Sequence, residues 1–141
     1  MFVVVTTAIV SPRCFSKVKV DFLKKVKDVL NLDPKFKGNI LETSYIVNEI
    51  FHEKDKKSIQ DLACSLQSYL GKGLAELAIE EAKRLRINHI GFSGGVAYNQ
   101  HITSIIRKHI ENSGLNFLVH NKIPAGDGGT SFGQAIVASF N

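Results

Sequence analysis

Hydrophobic residues recur every three or four positions along much of the chain, a spacing typical of helices that bury one face. In the first two thirds of the sequence this pattern predicts three helices, over residues 21–30, 40–51 and 58–86. Ser58 or Asp61 would begin the longest of them, because both residue types favour helix N-termini. Gly71 and Gly73 lie inside that helix, where each costs about 1 kcal/mol relative to alanine. We therefore expect a kink, a break or a close helix–helix approach at this point.

Short apolar runs bounded by glycine alternate with helical patterns in the second half of the chain. They predict two strands and two helices, in the order 88–93, 98–112, 115–120 and 131–140. Gly114 falls where a left-handed residue would close the first of these helices. A further strand is predicted at residues 2–5. Because strands joined through helices run parallel in one sheet, the predicted fold class is α/β, a short and mostly parallel sheet flanked by helices.

Size and composition indicate one compact domain over residues 1–141. Of these residues 44% are hydrophobic and 22% are charged, which excludes a disordered or fibrous chain. No apolar run reaches the roughly 18 residues that a membrane-spanning helix needs. The apolar N-terminus lacks the basic segment of a signal peptide, so we expect a cytoplasmic protein with no membrane partner. Cys14 and Cys64 lack the C-x-x-C spacing of a zinc ribbon, and Cys64 is expected to be a small buried side chain.

The net charge of +5 comes mostly from lysines in the first third of the chain. They do not form a basic stripe with interleaved aromatic residues of the kind expected in a nucleic-acid-binding groove. A solvated, lysine-rich face is therefore favoured over a nucleic-acid site. An acidic partner subunit or a phosphate-bearing ligand would suit the same charge.

The first of two glycine-rich loops follows a predicted strand and precedes a helix. There Gly94 and Gly95 would let the backbone approach an anion that the helix N–H groups also face. The loop is neither the Rossmann G-x-G-x-x-G nor a P-loop. A tight turn without a ligand is the simpler explanation of the glycine pair taken alone.

The second loop, residues 126–130, places Asp127 between glycines before the last helix. An aspartate there can cap the helix, or its oxygens can reach a hard cation or a metal-bound phosphate. Because both loops follow successive parallel strands, they should open at the same sheet edge, where α/β sheets bind ligands. The five histidines show no H-x-x-x-H spacing, so each is expected on a surface or a helix face: His52, His89, His101, His109 and His120.

Two motifs in the second half carry a family resemblance. GFSGGVAYNQ at residues 91–100 and IPAGDGGTSFGQAIVA at residues 123–138 resemble the C-terminal part of HypF-type carbamoyltransferases, maturation factors of nickel–iron hydrogenases. The helical stretch at residues 61–84 is similar to the preceding helix in that family and in the TsaD-type enzymes, which form threonylcarbamoyladenosine in tRNA. The DGG sequence, where TsaD-type enzymes usually have DNG, favours the HypF type. The resemblance covers residues 58–141 well and residues 30–57 loosely.

The resemblance implies one lobe of the actin-like ATPase and sugar-kinase superfold, in which ATP lies in a cleft between two lobes. It assigns nucleotide contact to five residues of this chain: Ser93, Gly94, Gly95, Asn99 and Gly128. Asp127 is similar to an aspartate that helps to hold the family's divalent metal, here expected to be Mg, Fe or Zn. The expected cofactor is ATP or carbamoyl adenylate.

The family's two metal-binding histidines belong to its first lobe and are absent from this sequence. We therefore expect the chain to contribute a nucleotide- and metal-facing half-site for carbamoyl transfer, completed by a first-lobe polypeptide or by self-association. Transferase activity is expected only with that partner. The alternative is a non-enzymatic interaction or scaffold module that kept the fold and lost the chemistry.

Overall fold

The computed structural model describes residues 3–7 and 26–140. Its elements, in chain order, are strands β1 (Val3–Thr7), β2 (Phe36–Lys37) and β3 (Ile40–Leu41), helices α1 (Thr43–Glu53) and α2 (Ile59–Arg84), strand β4 (His89–Gly94), a 3-10 helix (Gly95–Tyr98), helix α3 (Gln100–Asn112), strand β5 (Asn116–Leu118) and helix α4 (Asp127–Ser139). The predicted α/β class is confirmed. Among the described residues, no helix is both long and apolar enough to cross a membrane.

The main sheet has three parallel strands in the order β1-β4-β5. Ile90 of β4 lies between Val3 of β1 and Phe117 of β5, and at the end of β4 Gly94 pairs with Thr7. β2 and β3 form a separate antiparallel pair. The carboxyl ends of β4 and β5 therefore open at one edge of the sheet, as the sequence predicts.

The hydrophobic core lies where α2 and α3 pack against β4. Its buried side chains are small on α2 and branched on α3: Ala75, Ala78, Ala82, Ile90, Phe92, Ile102, Ile106 and Ile110. Helix α2 is continuous over 26 residues, and Gly71 marks a close approach of the two helices. A Cβ atom at Gly71 would lie 3.1 Å from Cγ2 of Ile105. Of the three outcomes expected at the paired glycines, the close approach is confirmed at Gly71, and a break is excluded.

The helix predicted over residues 21–30 is wrong for residues 26–30, which form no regular secondary structure, while residues 21–25 lie outside the described residues. The backbone N–H groups of this segment donate to side chains of α2 instead of to a helix of their own. Lys27 and Asp28 donate to the Asp61 carboxylate at 2.8 and 3.0 Å, and Leu30 donates to Oγ of Ser65 at 2.8 Å. Tertiary hydrogen bonds thus override a helical hydrophobic pattern.

Other element boundaries shift by a few residues from the predicted ones. The start of the helix predicted over residues 40–51 is taken up by β3, and the turn before it contains Gly38 at φ 59°. Ser58 is the N-cap of α2, its Oγ accepting a bond from the Asp61 N–H at 3.1 Å. Gly114 has the expected left-handed φ, 78°. Cys64 is buried as predicted, whereas Cys14 lies outside the described residues.

Candidate functional site

Hydrogen bonds join the two glycine-rich loops at the carboxyl edge of the sheet. The Gly94 N–H and the Ser93 hydroxyl both donate to the Ala125 carbonyl oxygen, at 2.8 and 3.2 Å. The Gly126 N–H donates to the Tyr98 hydroxyl at 3.2 Å. Two segments about thirty residues apart in sequence are thereby held as one structural unit.

The two glycines of the first loop differ in conformation. Gly94 has φ 106° and ψ 175°, a region that is accessible essentially to glycine alone. Gly95 is not among the glycines with positive φ, so its backbone conformation does not demand the absence of a side chain. The tight turn accounts for Gly94 and leaves Gly95 without a conformational reason to be glycine.

The second loop leads into α4 without a side-chain cap. Gly126 occupies the N-cap position, and Asp127 is the first residue of the helix. A Cβ atom at Gly129 would collide with the Pro124 carbonyl oxygen, whereas one at Gly128 would lie at an ordinary 3.5 Å from Cγ of Pro124. Packing therefore explains the glycine at 129 but not the one at 128.

A cleft of about 460 Å³ opens beside the joined loops. It is lined by residues of the 3-10 helix, the end of β4 and the segment after β5: Phe92, Ala97, Tyr98, Val119, His120, Asn121, Lys122, Ile123, Pro124 and Ala125. Among these described lining residues none is acidic, and Lys122 supplies a positive charge. The cleft therefore combines apolar walls with donor groups suited to an anionic or hydroxylated ligand.

His120 is a site residue that sequence reasoning missed. Its Nε2 atom lies 2.9 Å from Oγ of Ser93, and its side chain lines the cleft. The signal was present, since Ser93 and His120 come at or just after the ends of neighbouring predicted strands and such positions meet at one sheet edge.

Asn99 lies outside the cleft lining, as do the other residues predicted to contact nucleotide, Ser93, Gly94, Gly95 and Gly128. Its side chain is only 6% exposed, and its Oδ1 accepts bonds from the His101 and Ile102 N–H groups at 3.0 and 3.1 Å. Its Nδ2 lies 3.4 Å from Oε1 of Gln67. The structure thus brings Ser93 and Gly94 together with the second loop, while the Asn99 side chain caps α3.

A second polar cluster joins α2 to α3 away from the cleft lining. Nε2 of His101 lies 3.3 Å from Sγ of Cys64 and 3.4 Å from Oγ of Ser68. Burial raises the pKa of the Cys64 thiol and lowers the pKa of the His101 imidazole. Both groups are neutral near pH 7, so the thiol is neither an activated nucleophile nor a ready metal ligand. Within the described part of the chain, no three histidine, cysteine or acidic side chains are grouped so as to hold a metal ion.

Together, the fold and the cleft define an α/β domain whose candidate ligand site lies at the carboxyl edge of a parallel sheet. The family described as "Carbamoyltransferase, Kae1-like Domain, second subdomain" matches residues 18–134. The chain belongs to this family. β1 precedes the matched segment. One of the two strands that pair with β4 therefore lies outside the family match.

Relatives of known name agree with the family assignment. The chain is 36% identical over 116 residues to a probable carbamoyltransferase HypF of Methanocaldococcus jannaschii, covering 79% of this chain and 15% of that protein. It is 30% identical over 105 residues to a tRNA N6-adenosine threonylcarbamoyltransferase of Phocaeicola vulgatus, covering 74% of this chain and 26% of that protein.

Two solved structures share the fold. The crystal structure of T. kodakarensis HypF superposes with a TM-score of 0.73 at 34% identity, covering 83% of this chain and 15% of that one. A full-length HypF in its phosphate- and nucleotide-bound form superposes with a TM-score of 0.66 at 21% identity, covering 79% of this chain and 15% of that one. The chain therefore spans about 15% of the length of its HypF relatives.

Proposed function

We propose that this chain is one lobe of an actin-like ATPase and sugar-kinase fold and contributes a nucleotide- and metal-facing half-site for carbamoyl transfer. The observation that carries the proposal is the hydrogen-bonded junction of the two glycine loops. The Gly94 N–H meets the Ala125 carbonyl oxygen at 2.8 Å, beside a cleft at the carboxyl edge of the sheet. Family membership supports the proposed carbamoyl-transfer chemistry, and the junction of the loops supports the proposed location of the site.

A nucleotide is the ligand that we assign to this cleft. Gly95 has no positive φ that would require glycine, and at Gly128 a Cβ atom would make only an ordinary contact with Pro124. Lys122 brings an ammonium group to the cleft lining, and the Ser93 hydroxyl is hydrogen-bonded to the lining residue Ala125. A related full-length HypF was solved with phosphate and nucleotide bound, which makes ATP the first ligand to test.

The metal site is proposed with a single ligand from this chain, the Asp127 carboxylate. A divalent metal bound there would neutralise phosphate charge and orient the phosphate oxygens. The described residues supply no further cluster of ligands, so the remaining ligands would come from nucleotide, water or a partner lobe. The role proposed for Asp127, the first residue of α4, is to supply one negative charge to the metal.

A partner lobe is proposed to close the open side of the site. Helix α4 follows closely on the cleft-lining segment and exposes the apolar side chains of Phe132 and Ile136, and Phe140, just after the helix, is 84% exposed. A Cβ atom at Gly133 would meet nothing within 4 Å. Because the chain spans about 15% of its HypF relatives, we assign this face to a first-lobe polypeptide and not to a second copy.

The proposal is tested by titrating the isotope-labelled chain with Mg-ATP and following backbone amide signals. Loops 93–95 and 126–130 should shift first, with a dissociation constant in the high micromolar to millimolar range, because an open half-site leaves much of the ligand solvated. Asp127→Asn should weaken Mg-ATP binding about tenfold or more, since a divalent metal needs the charge. Its stability should change by less than about 1 kcal/mol, the range of a charge–dipole interaction at a helix N-terminus.

Asp55→Asn is the matched control, because it removes the same charge from an exposed turn after α1. If Asp127→Asn and Asp55→Asn bind Mg-ATP equally well, the metal assignment fails. If saturating Mg-ATP shifts no signal in either loop, the nucleotide half-site fails and the scaffold alternative gains support. Light scattering at micromolar concentration distinguishes a first-lobe partner from self-association. A dimer that dissociates on Phe140→Ser substitution would assign the α4 face to self-association.

A further inference from the structure

Ser93 and His120 form a polar pair across two neighbouring strand ends. The Ser93 Oγ and the His120 Nε2 are 2.9 Å apart. Ser93 belongs to β4 and His120 follows β5, so the parallel register of the two strands sets this contact and no loop on its own creates it.

The hydrogen-bond direction in this pair follows from the third member of the chain. The Ser93 hydroxyl donates to the Ala125 carbonyl oxygen at 3.2 Å, and a serine has one hydroxyl hydrogen. With that hydrogen directed at Ala125, Ser93 accepts from His120, and the imidazole proton lies on Nε2. The order of donation is His120 to Ser93 to Ala125.

The last bond of this chain is expendable. The Ala125 carbonyl oxygen already accepts the shorter 2.8 Å bond from the Gly94 N–H, so losing the Ser93 hydroxyl leaves no buried acceptor unpaired. Ser93 can rotate its hydrogen towards a ligand while His120 still donates to its Oγ. A serine oxygen that accepts a hydrogen bond is also a stronger donor.

We infer that His120 is a positioning residue that aims the Ser93 hydroxyl at a phosphate oxygen of the nucleotide, with Lys122 supplying the opposing charge. Lys122 lines the same cleft, and none of the described lining residues is acidic. A carbonyl or adenine ring would need no ammonium group, whereas a phosphate oxygen accepts from both a hydroxyl and an ammonium group. This inference rests on the proposed nucleotide site and adds to it the residues that bind the phosphate, Ser93, His120 and Lys122, here called the phosphate anchor.

The first test needs no ligand. Long-range proton–nitrogen spectra of the labelled full chain should show the proton of the neutral His120 imidazole on Nε2 and not on Nδ1. A proton on Nδ1 would mean that Ser93 donates to His120, and the inference would be overturned.

The second test is a double-mutant cycle of Ser93→Ala and His120→Ala, with ATP, adenosine and inorganic phosphate as separate probes. Each single variant should weaken ATP binding roughly 3- to 10-fold, the usual range for one hydrogen bond. The double variant should be no weaker than either single one, because both break the same chain. Adenosine affinity should not change. Inorganic phosphate should show the same pattern as ATP if it occupies the same anchor, and no effect of either variant if only the nucleotide reaches it.

A conservative variant of His120 and a variant at a remote histidine distinguish a positioning role of His120 from a purely structural one. His120→Gln keeps a side-chain N–H donor and should recover part of the ATP affinity that His120→Ala loses. His52→Ala, on the exposed side of α1, should bind ATP as the native chain does. Additive losses in the cycle, or equal losses for adenosine and ATP, would refute the phosphate anchor while leaving the nucleotide site in place. Failure of both adenosine and ATP to bind the native chain would refute both proposals.

Discussion

Replacing Gly94 and Gly95 one at a time separates the turn from the ligand site. Gly94 has φ 106° and ψ 175°, a conformation that costs a residue with a side chain about 1–3 kcal/mol. Gly94→Ala should therefore destabilise the fold by that amount. For a domain of this size the melting temperature falls by roughly 3–5 °C per kcal/mol, so a drop of several degrees is expected.

For Gly95 we expect the reverse, a substitution that affects ligand binding and not stability. Its φ is not positive, so a side chain there meets no such backbone penalty. Gly95→Val should melt close to the native chain. If the loop backbone lies against a nucleotide, however, the valine side chain would occupy the ligand's place, and Mg-ATP binding should be lost.

Thermal and urea unfolding of both variants, followed by Mg-ATP titration of each below its melting temperature, measures the two effects independently. A Gly94→Ala protein as stable as the native one would refute the strained-turn argument. A Gly95→Val protein that unfolds would assign Gly95 to the turn as well. One that folds and still binds Mg-ATP normally would remove this loop from the ligand site.

Two further predictions concern the contacts of α2. Tyr69→Phe should destabilise the fold by about 1–3 kcal/mol in urea unfolding, because the buried hydroxyl accepts from the Lys35 N–H at 3.0 Å and donates to the Glu42 carbonyl oxygen at 2.9 Å; an unchanged urea midpoint would contradict it. Hydrogen bonds from Ser58 and from two backbone N–H groups lower the pKa of Asp61 from 3.8 to about 2. The unfolded state therefore binds more protons between pH 4 and 2, so this stabilisation is complete above pH 4 and is lost as the pH falls towards 2. Asp61→Asn should flatten the pH dependence of unfolding in that window, and an unaltered slope would show that Asp61 is not its source.

Periodicity predicted the helices that pack directly on the sheet. α2 and α3 repeat buried residues at helical spacing, and that spacing is a local property of the sequence. Residues 26–30 show the same kind of pattern but form no helix, since their N–H groups donate to Asp61 and Ser65 more than thirty positions away. No window of local sequence contains both the donors and these acceptors.

The candidate site was predictable to the same extent. The two glycine loops and their common edge followed from the order of strands and helices. The roles of individual side chains did not, because they depend on register. Asn99 matches a family motif, yet its side chain caps α3, a role that asparagine before a helix also signals. His120 is predicted from the sequence as a surface histidine, whereas the pairing of β4 with β5 brings it beside Ser93.

The two walls of the cleft differ in how they are held by the rest of the fold. This difference predicts how a partner lobe would affect nucleotide binding. One wall includes Phe92, a buried residue of β4, which is the central strand and is paired on both sides. The opposite wall, residues 119–126, is tied to it through bonds at Ala125 and Gly126 and continues into the apolar, exposed face of α4. Nucleotide binding to the isolated chain should therefore be limited by the second wall. A first lobe seated on α4 would raise affinity by ordering that wall in addition to adding contacts, so its effect should be largest for ligands that reach Lys122.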